Sequence, residues 1–255
     1  MTIDYQYRPK ISVILTTMRG YNAFKMSMDN LGKQTFRDFE LIIVNNGSED
    51  LTKEQVFITC RDNRITNYRY FFVPKVQSYE ASKVFNTGIA RAKGKLCFFL
   101  HESVKFDYAG DHKTNDVTYL HRLWERSDNG TKMVITRKLI YNSVTYGYNT
   151  DDLIVTGTEN SSDTRLLIQQ DAIPKKYLKI VGGLDPIFDG DHGYVDYDLW
   201  NKLKNVGCSH VIEEGLISRK YRINDSKLEK TLRRDTDGGR NKNFYIDRYH
   251  TESPL

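Results

Sequence analysis

The chain has 255 residues, of which 39% are aliphatic, aromatic or cysteine and 28% are charged. That balance suits one soluble α/β domain with its own core and excludes a collagen-like or coiled-coil rod, or disorder over most of the length. No apolar run approaches the roughly 20 residues of a membrane helix, and the polar stretch Met1 to Lys10 has no signal-peptide core, so no membrane span and a cytoplasmic location are expected.

Net charge is +5, and ten basic against six acidic residues between Arg219 and Leu255 put +4 of it in the last 37 residues. Such a basic end could face a nucleotide phosphate, an acidic acceptor or nucleic acid, although a solvated face is the commoner explanation. The three cysteines, Cys60, Cys97 and Cys208, are widely separated; they suggest neither a disulfide framework nor a metal site.

In chain order, short apolar runs at Ile11 to Thr16, Phe39 to Val44, Tyr68 to Val73 and Leu96 to Leu100 predict strands buried on both faces, the pattern of a parallel sheet. Helical spacing between them covers Tyr21 to Leu31, Thr52 to Arg61 and Tyr79 to Ala92; the last lines up Ala81, Val84, Phe85, Gly88 and Ile89 and stops at Gly94. The alternation predicts βαβ units with right-handed crossovers. Further on, a helix is expected over Val117 to Arg126 with Leu120, Leu123 and Trp124 inward. A hairpin is expected from Met133 to Tyr148, with short strands at Leu153 to Gly157 and Leu166 to Gln169. Helices are expected over Asp196 to Asn205 and from about Asp225 to Arg234.

In open parallel sheets ligands sit beyond the carboxyl ends of the strands. Those ends read Thr16-Thr17-Met18-Arg19, Asn45-Asn46-Gly47-Ser48 and His101-Glu102-Ser103, all rich in hydrogen-bonding groups. Any one of them alone is an ordinary strand-to-helix turn; their order and spacing make the set more specific.

Three ordered blocks carry a resemblance. The first is Gln34-Thr35-Phe36, Asp38-Phe39-Glu40 and Val44-Asn45-Asn46-Gly47-Ser48-Glu49-Asp50. The second is Asn86-Thr87-Gly88-Ile89-Ala90-Arg91-Ala92-Lys93-Gly94. The third is Val181-Gly182-Gly183-Leu184-Asp185-Pro186 with Asp196-Tyr197-Asp198-Leu199-Trp200. Over roughly residues 10 to 250 the chain resembles the family 2 glycosyltransferases of the GT-A fold, with Lys242-Asn243-Phe244 and Arg248-Tyr249 similar to the family's late basic-aromatic tail. The resemblance implies a Rossmann-like, mostly parallel sheet flanked by helices, with a small antiparallel acceptor-side part. On that basis residues 1–218 form the catalytic domain, with 1–103 the nucleotide-binding half and 104–218 the acceptor-binding half. Residues 219–255 are then a basic extension packed on it.

The activity implied is transfer of a sugar, with inversion, from a nucleotide-sugar donor to an acceptor hydroxyl. The acceptor would be a glycan, a lipid-linked sugar or, given the basic tail, a hydroxylated base in DNA. Such chemistry needs a general base for the acceptor proton and positive charge for the departing diphosphate. Asp196 matches the family's base; without the family pattern it reads rather as the N-cap of the helix it begins. Donor contacts are expected from Thr16, Thr17, Arg19, Asn45, Asn46, Lys83, Asn86, His101, Glu102, Ser103, Arg219 and Lys220, and acceptor contacts from Gly182, Gly183, Tyr194, Asp198 and Trp200. The loop carrying Asp185, Asp189, Asp191 and His192 is expected to be a solvated acceptor-side loop.

Four positions depart from the family pattern. His101-Glu102-Ser103 stands where an Asp-x-Asp holds Mn²⁺ or Mg²⁺ under the diphosphate. Only His101 and Glu102 remain as ligands there, unless Asp107 or Asp111 bends back. The alternative is that fixed cations, Lys83, Arg219 and Lys220, neutralise the leaving group, and the donor set favours weakened or absent metal dependence. Asn45 and Asn46 replace an Asp that meets the base or ribose. Phe85 stands for an Arg, and Val195 for the Glu before Asp196. These losses motivate a second reading, a member that binds nucleotide or glycan without turnover. A nucleotidyltransferase is disfavoured, because Thr16 to Asn22 has just one glycine, Gly20, and one arginine, Arg19, where that activity usually needs a glycine-rich basic loop.

Overall fold

Uninterrupted apolar runs build the centre of the sheet. The computed structural model describes residues 8–18, 20–77, 80–108, 117–141, 153–156, 170–191, 193–221 and 239–250. Through the first hundred residues strands and helices alternate as expected: β1 (Ile11–Thr17), α1 (Tyr21–Lys33), β2 (Phe39–Asn46), α2 (Lys53–Asp62), β3 (Tyr68–Val73), α3 (Ala81–Arg91) and β4 (Leu96–His101). Every residue of β1 and β2 is buried, which explains why neither shows a polar alternation. Thr52 begins α2 as its cap: its hydroxyl accepts from Gln55 N at 3.2 Å, and the Gln55 side chain accepts from Thr52 N at 2.8 Å.

The second part comprises β5 (Val104–Tyr108), α4 (Tyr119–Arg126), β6 (Met133–Tyr141), β7 (Leu153–Thr156), β8 (Ala172–Pro174), α5 (Lys175–Ile180), α6 (Val195–Asn205), β9 (His210–Tyr221) and α7 (Gly239–Tyr249). Among the described residues one sheet runs β3-β2-β1-β4-β8-β6-β9-β5, with β7 added on β6. β1 to β4 are mutually parallel, and β8, β7 and β5 pair antiparallel with their neighbours. The fold is GT-A: a mostly parallel sheet flanked by helices.

Two cores lie on opposite faces of the sheet. One gathers Phe24, Met28, Leu31, Val56, Cys60, Tyr119, Leu120 and Leu123 from α1, α2 and α4. The other gathers Val84, Phe85 and Ile89 of α3, Leu199, Trp200 and Leu203 of α6 and Tyr245 of α7. Gly88 lets α3 lie directly on β1, since a Cβ there would overlap the Ile14 side chain. Burial pushes the Cys60 and Cys97 thiols up to about 12 and Cys208 to about 11, so all three are inert packing groups.

Five elements went unforeseen, β5, β8, α5, β9 and α7. β9 carries Glu213, Glu214, Arg219 and Lys220 along its length and is a strand because β6 and β5 pair with it on both sides. Its register against β6 slips between Thr136 and Arg137, around Gly215. It also runs through the boundary expected at residue 218. α5 is six residues long with one buried side chain, Leu178, too short for a periodic signal. The second arm of the expected hairpin, the strand at 166–169 and the helix at 225–234 fall outside the described residues.

A buried ion pair joins β6 to the start of β8. Lys138 and Asp171 are at most 1% exposed, with Nζ and Oδ1 2.5 Å apart, and the same oxygen accepts from Thr136 N at 2.9 Å. Lys138→Met leaves that carboxylate buried without its cation, and urea denaturation should report a loss of about 3–5 kcal/mol.

Candidate active site

β1 runs to β2 and β3 on one side, and the chain then returns to place β4 on the other side of β1. The connections therefore diverge between β1 and β4, and in sheets of this kind the crevice that takes ligands lies at the carboxyl ends of the two strands where they diverge. Alternation along each strand decides which side chains face it. Thr16 follows Ile14, Asn46 follows Ile42 and Val44, and His101 follows Phe99, all on the face covered by α3. Thr16, Asn46 and half-buried His101 thus share one face at the sheet's end. Asn46 is 7% exposed, and its Oδ1 has no hydrogen-bond partner among the described residues.

Their sequence neighbours point the other way and are structural. Asn45 is fully buried; its amide donates to Ser48 O at 2.7 Å and to the Tyr70 hydroxyl at 3.0 Å, and its Oδ1 accepts from Ser48 N at 2.9 Å. It shapes the turn after β2. Glu102 is equally buried, and its Oε2 accepts from Thr17 Oγ1 at 2.6 Å and Met18 N at 3.0 Å, bracing β1 against β4 across the crevice floor. Ser103, with φ of +63° and no exposure, completes a turn that Ser27 ties to α1: the Ser27 hydroxyl donates to His101 O and accepts from Val104 N. Gly20 opens α1 at φ +86°, where a Cβ would land on the Asp50 carboxylate. Arg19 lies outside the described residues.

His101 and Glu102 are the candidate metal ligands of this donor set. Glu102 has one oxygen committed to Thr17 and Met18, and His101 Nδ1 faces Glu102 O at 3.1 Å. Among the described residues no three His, Cys, Asp or Glu side chains converge. A hard cation asks for several oxygen ligands, and His101 and Glu102 by themselves do not supply them; the Asp107 side chain and Asp111 lie outside the described residues.

The remaining expected donor contacts divide between the two sides. Lys83 Nζ reaches Pro74 O at 2.9 Å and Glu80 Oε1 at 3.1 Å, so it braces the loop before α3. Asn86 clamps Leu184 reciprocally, Nδ2 donating to its carbonyl at 2.8 Å and Oδ1 accepting its N–H at 2.9 Å. Arg219 and Lys220 pair in β9 with Lys105 and Val104, immediately after the turn at Ser103.

The acceptor-side positions follow one another along α3. Gly182 and Gly183 have φ of +75° and +74°, and a Cβ on Gly183 would overlap the Asn86 amide. From there the chain climbs to the start of α3. Ser82 Oγ donates to Asp185 O at 2.8 Å, and the Asp189 carboxylate takes the N–H groups of Ser82 and Lys83 at 2.9 and 3.2 Å. Asp189, 8% exposed, therefore caps α3 from 107 residues away and is not the solvated loop residue expected from composition, while Pro186 and Ile187 beside it are exposed. α6 begins six residues later. Its cap position is Tyr194, left-handed at φ +64° and packed against Tyr197 and Tyr245, so half-buried Asp196 is inside the first turn and not the cap.

Asp198 and Trp200, expected to face an acceptor, are interior. Trp200 is 7% exposed and packs edge-on to His210. Asp198 is fully buried and receives Arg248 Nη1 at 2.6 Å, the Tyr249 hydroxyl at 2.8 Å and Lys202 Nζ at 3.2 Å. The sequence reading missed the roles of Asp185, Asp189, Asn241 and Arg248. Asn241 Nδ2 lies within 3.1 Å of the carbonyls of Phe188, Asp191 and Gly193, and Arg240 reaches Asp189 O and Ile187 O. The signal available was the recurrence of Asn, Phe/Tyr and Arg at helical spacing between Gly239 and Tyr249.

The Glycosyl transferase family 2 model matches residues 12–181. An uncharacterized glycosyltransferase of Rickettsia bellii is 25% identical over 222 residues, 84% of this chain and 30% of its own; one from Rickettsia typhi is 24% identical over 88% of this chain and 67% of its own. Among solved structures, Staphylococcus aureus TarS in complex with UDP-GlcNAc superposes with TM-score 0.59 and 15% identity, covering 86% of this chain and 60% of that one. The mannosyltransferase PcManGT from Pyrobaculum calidifontis, in complex with GDP-Man and Mn²⁺, gives 0.61 and 14%, covering 90% and 61%. The chain spans less than a third of the first relative, and the structural likenesses speak for the fold.

Asp185 supplies a pH test. Burial pushes its carboxyl up, but the Ile187 N–H and the Arg248 guanidinium outweigh that and hold it below the usual range. The stability it contributes is complete above the usual carboxylate pKa and is lost as pH falls through the lowered folded value. Asp185→Asn should flatten the acid limb of a melting-temperature profile. Asp189→Ala should cost about 0.5–2 kcal/mol in urea denaturation, as the loss of a helix cap does.

Proposed function

The chain belongs to glycosyl transferase family 2, and on that premise we propose that it transfers a sugar from a nucleoside diphosphate-sugar to an acceptor hydroxyl, with inversion and Asp196 as general base. The observation carrying this reading is the hold of α3 on the segment that leads into α6, residues 183–189. Leu184 is bound to Asn86 and Asp189 to the N-terminus of α3, and the first turn of α6 begins six residues further on.

The donor would lie in the crevice between β1 and β4, with Asn46 and Thr16 on its α3 side. Asp196 would take the acceptor proton as the oxygen attacks the anomeric carbon; the bond to the diphosphate breaks on the opposite face, and its electron pair leaves with the phosphate. A helix N-terminus favours the carboxylate form and keeps Asp196 ready to accept. Arg219 and Lys220, paired in β9 with Lys105 and Val104 just after the turn that follows β4, are the candidate cations to meet the leaving group.

UDP-GlcNAc and GDP-mannose are the first donors to try, each with and without Mn²⁺, because a ligand that binds the folded form alone raises its melting temperature. With the donor that binds, Asp196→Asn should lower turnover by about 10²-fold or more while leaving the donor-induced shift intact. Unchanged turnover would remove Asp196 as the base.

A second reading, binding without turnover, draws on the commitment of Glu102 to Thr17 and Met18. Donor hydrolysis abolished by Asp196→Asn would dispose of it. A DNA acceptor is the weaker of the acceptor classes, since two arginines of the basic tail, Arg240 and Arg248, are bonded to the domain itself. Duplex binding that falls steeply between low and moderate salt would restore it.

A further inference from the structure

Arg248 stands at the centre of the docking of α7. Its Nη1 is 2.6 Å from Asp198 Oδ1 and its Nη2 is 2.8 Å from Asp185 Oδ2. The two carboxylates flank Asp196, Asp185 in the loop before it and Asp198 in the helix after it. The Phe188 ring lies under the guanidinium with its centroid 5.6 Å away, and Tyr249 adds a bond to the same Asp198 oxygen. The opposite Asp198 oxygen belongs to Lys202, whose Nζ also donates to Gly183 O at 3.0 Å.

α6 does not need this cross-link in order to be a helix in its place. Val195, Leu199, Trp200 and Leu203 are buried in the core and hold it there. What the guanidinium adds is a fixed relation between the loop and the helix's first turn. A planar fork can hold two carboxylates in one plane at once, which an ammonium cannot do with the same geometry. With Lys202 still on Asp198, removing Arg248 does not strip that buried carboxylate of its last cation.

We propose that Arg248 is a positioning residue for sugar transfer: its guanidinium ties Asp185 to Asp198 and so sets the aim of the Asp196 carboxylate between them. The inference rests on the reading of Asp196 as general base. It gives α7 a role in the reaction without contact with substrate, through the angle at which the base meets the acceptor oxygen. Small misplacements of a reacting group are costly: about 1 Å can lower a rate 10²-fold.

The test compares the wild type with Arg248→Met, Arg248→Lys, Asp196→Asn and the Arg248→Met/Asp196→Asn double variant. The substrate is whichever of UDP-GlcNAc, UDP-glucose or GDP-mannose raises the melting temperature most, and nucleoside diphosphate release with water as acceptor is the readout. Arg248→Met should lower kcat by about tenfold or more with donor KM within about two-fold, and Arg248→Lys should fall between it and wild type. In the Asp196→Asn background the Arg248→Met change should slow the reaction no further, since a residue acting through the base has nothing left to act on. If Arg248→Met is unfolded at the assay temperature, Arg248→Lys and Tyr249→Phe are judged by the same kcat criterion.

An unchanged kcat in the folded variants, a loss confined to KM, or an equal fold-loss in both backgrounds overturns the proposal while leaving Asp196 as the base. An Asp196→Asn protein with wild-type kcat overturns the base reading, and the positioning role falls with it. A wild type that binds donor and never cleaves it overturns both.

Discussion

Residues 183–191 contain little regular structure of their own, one 3₁₀ turn at Pro186–Phe188, yet they lead the chain into α6. Such a segment cannot hold itself; its polar groups must find partners elsewhere. Three helices supply them: Asn86, Ser82 and the N-terminus of α3, Lys202 of α6, and Arg240, Asn241 and Arg248 of α7. The commonest contact is a side chain bonding to backbone, so the loop's path is specified in detail with few buried apolar contacts. Asp189 illustrates the exchange, capping α3 while α3 fixes it.

The same economy governs the crevice. Each strand end carries adjacent polar residues, and the two-residue period of a strand gives them opposite duties. Asn46 faces the crevice while Asn45 builds the turn beneath it; Thr16 faces it while Thr17 holds Glu102. Glu102 is a brace between β1 and β4, which accounts for a carboxylate persisting where the usual aspartates are missing. A buried acid accepting two bonds at the floor of the crevice keeps the strands together where the divergence of their connections would otherwise part them.

The basic C-terminal segment is partly internal in its effect. Arg240 and Arg248 are spent on carbonyls and carboxylates of the domain, and Tyr245 is fully buried among Tyr194, Tyr197 and Tyr249. Net charge counted along the chain therefore overstates what this end offers to an outside polyanion.

The sequence by itself determined the parallel half of the sheet, the faces of α3, α4 and α6, the family and the end of the sheet at which to look. Those features rest on local apolar periodicity and on turn residues, which one stretch of chain displays alone. It did not reveal β9 or α7, because pairing on both sides and docking on a partner helix made those elements out of charged stretches. Nor did it separate ligand-facing residues from scaffold. Asn45, Asn86, Glu102, Asp198 and Trp200 have the right chemistry for a site, and only tertiary structure turned them towards partners within the fold, as far as 98 residues away. A side chain's bonding capacity is written in its type, but which groups satisfy it is decided by what the folded chain brings beside it.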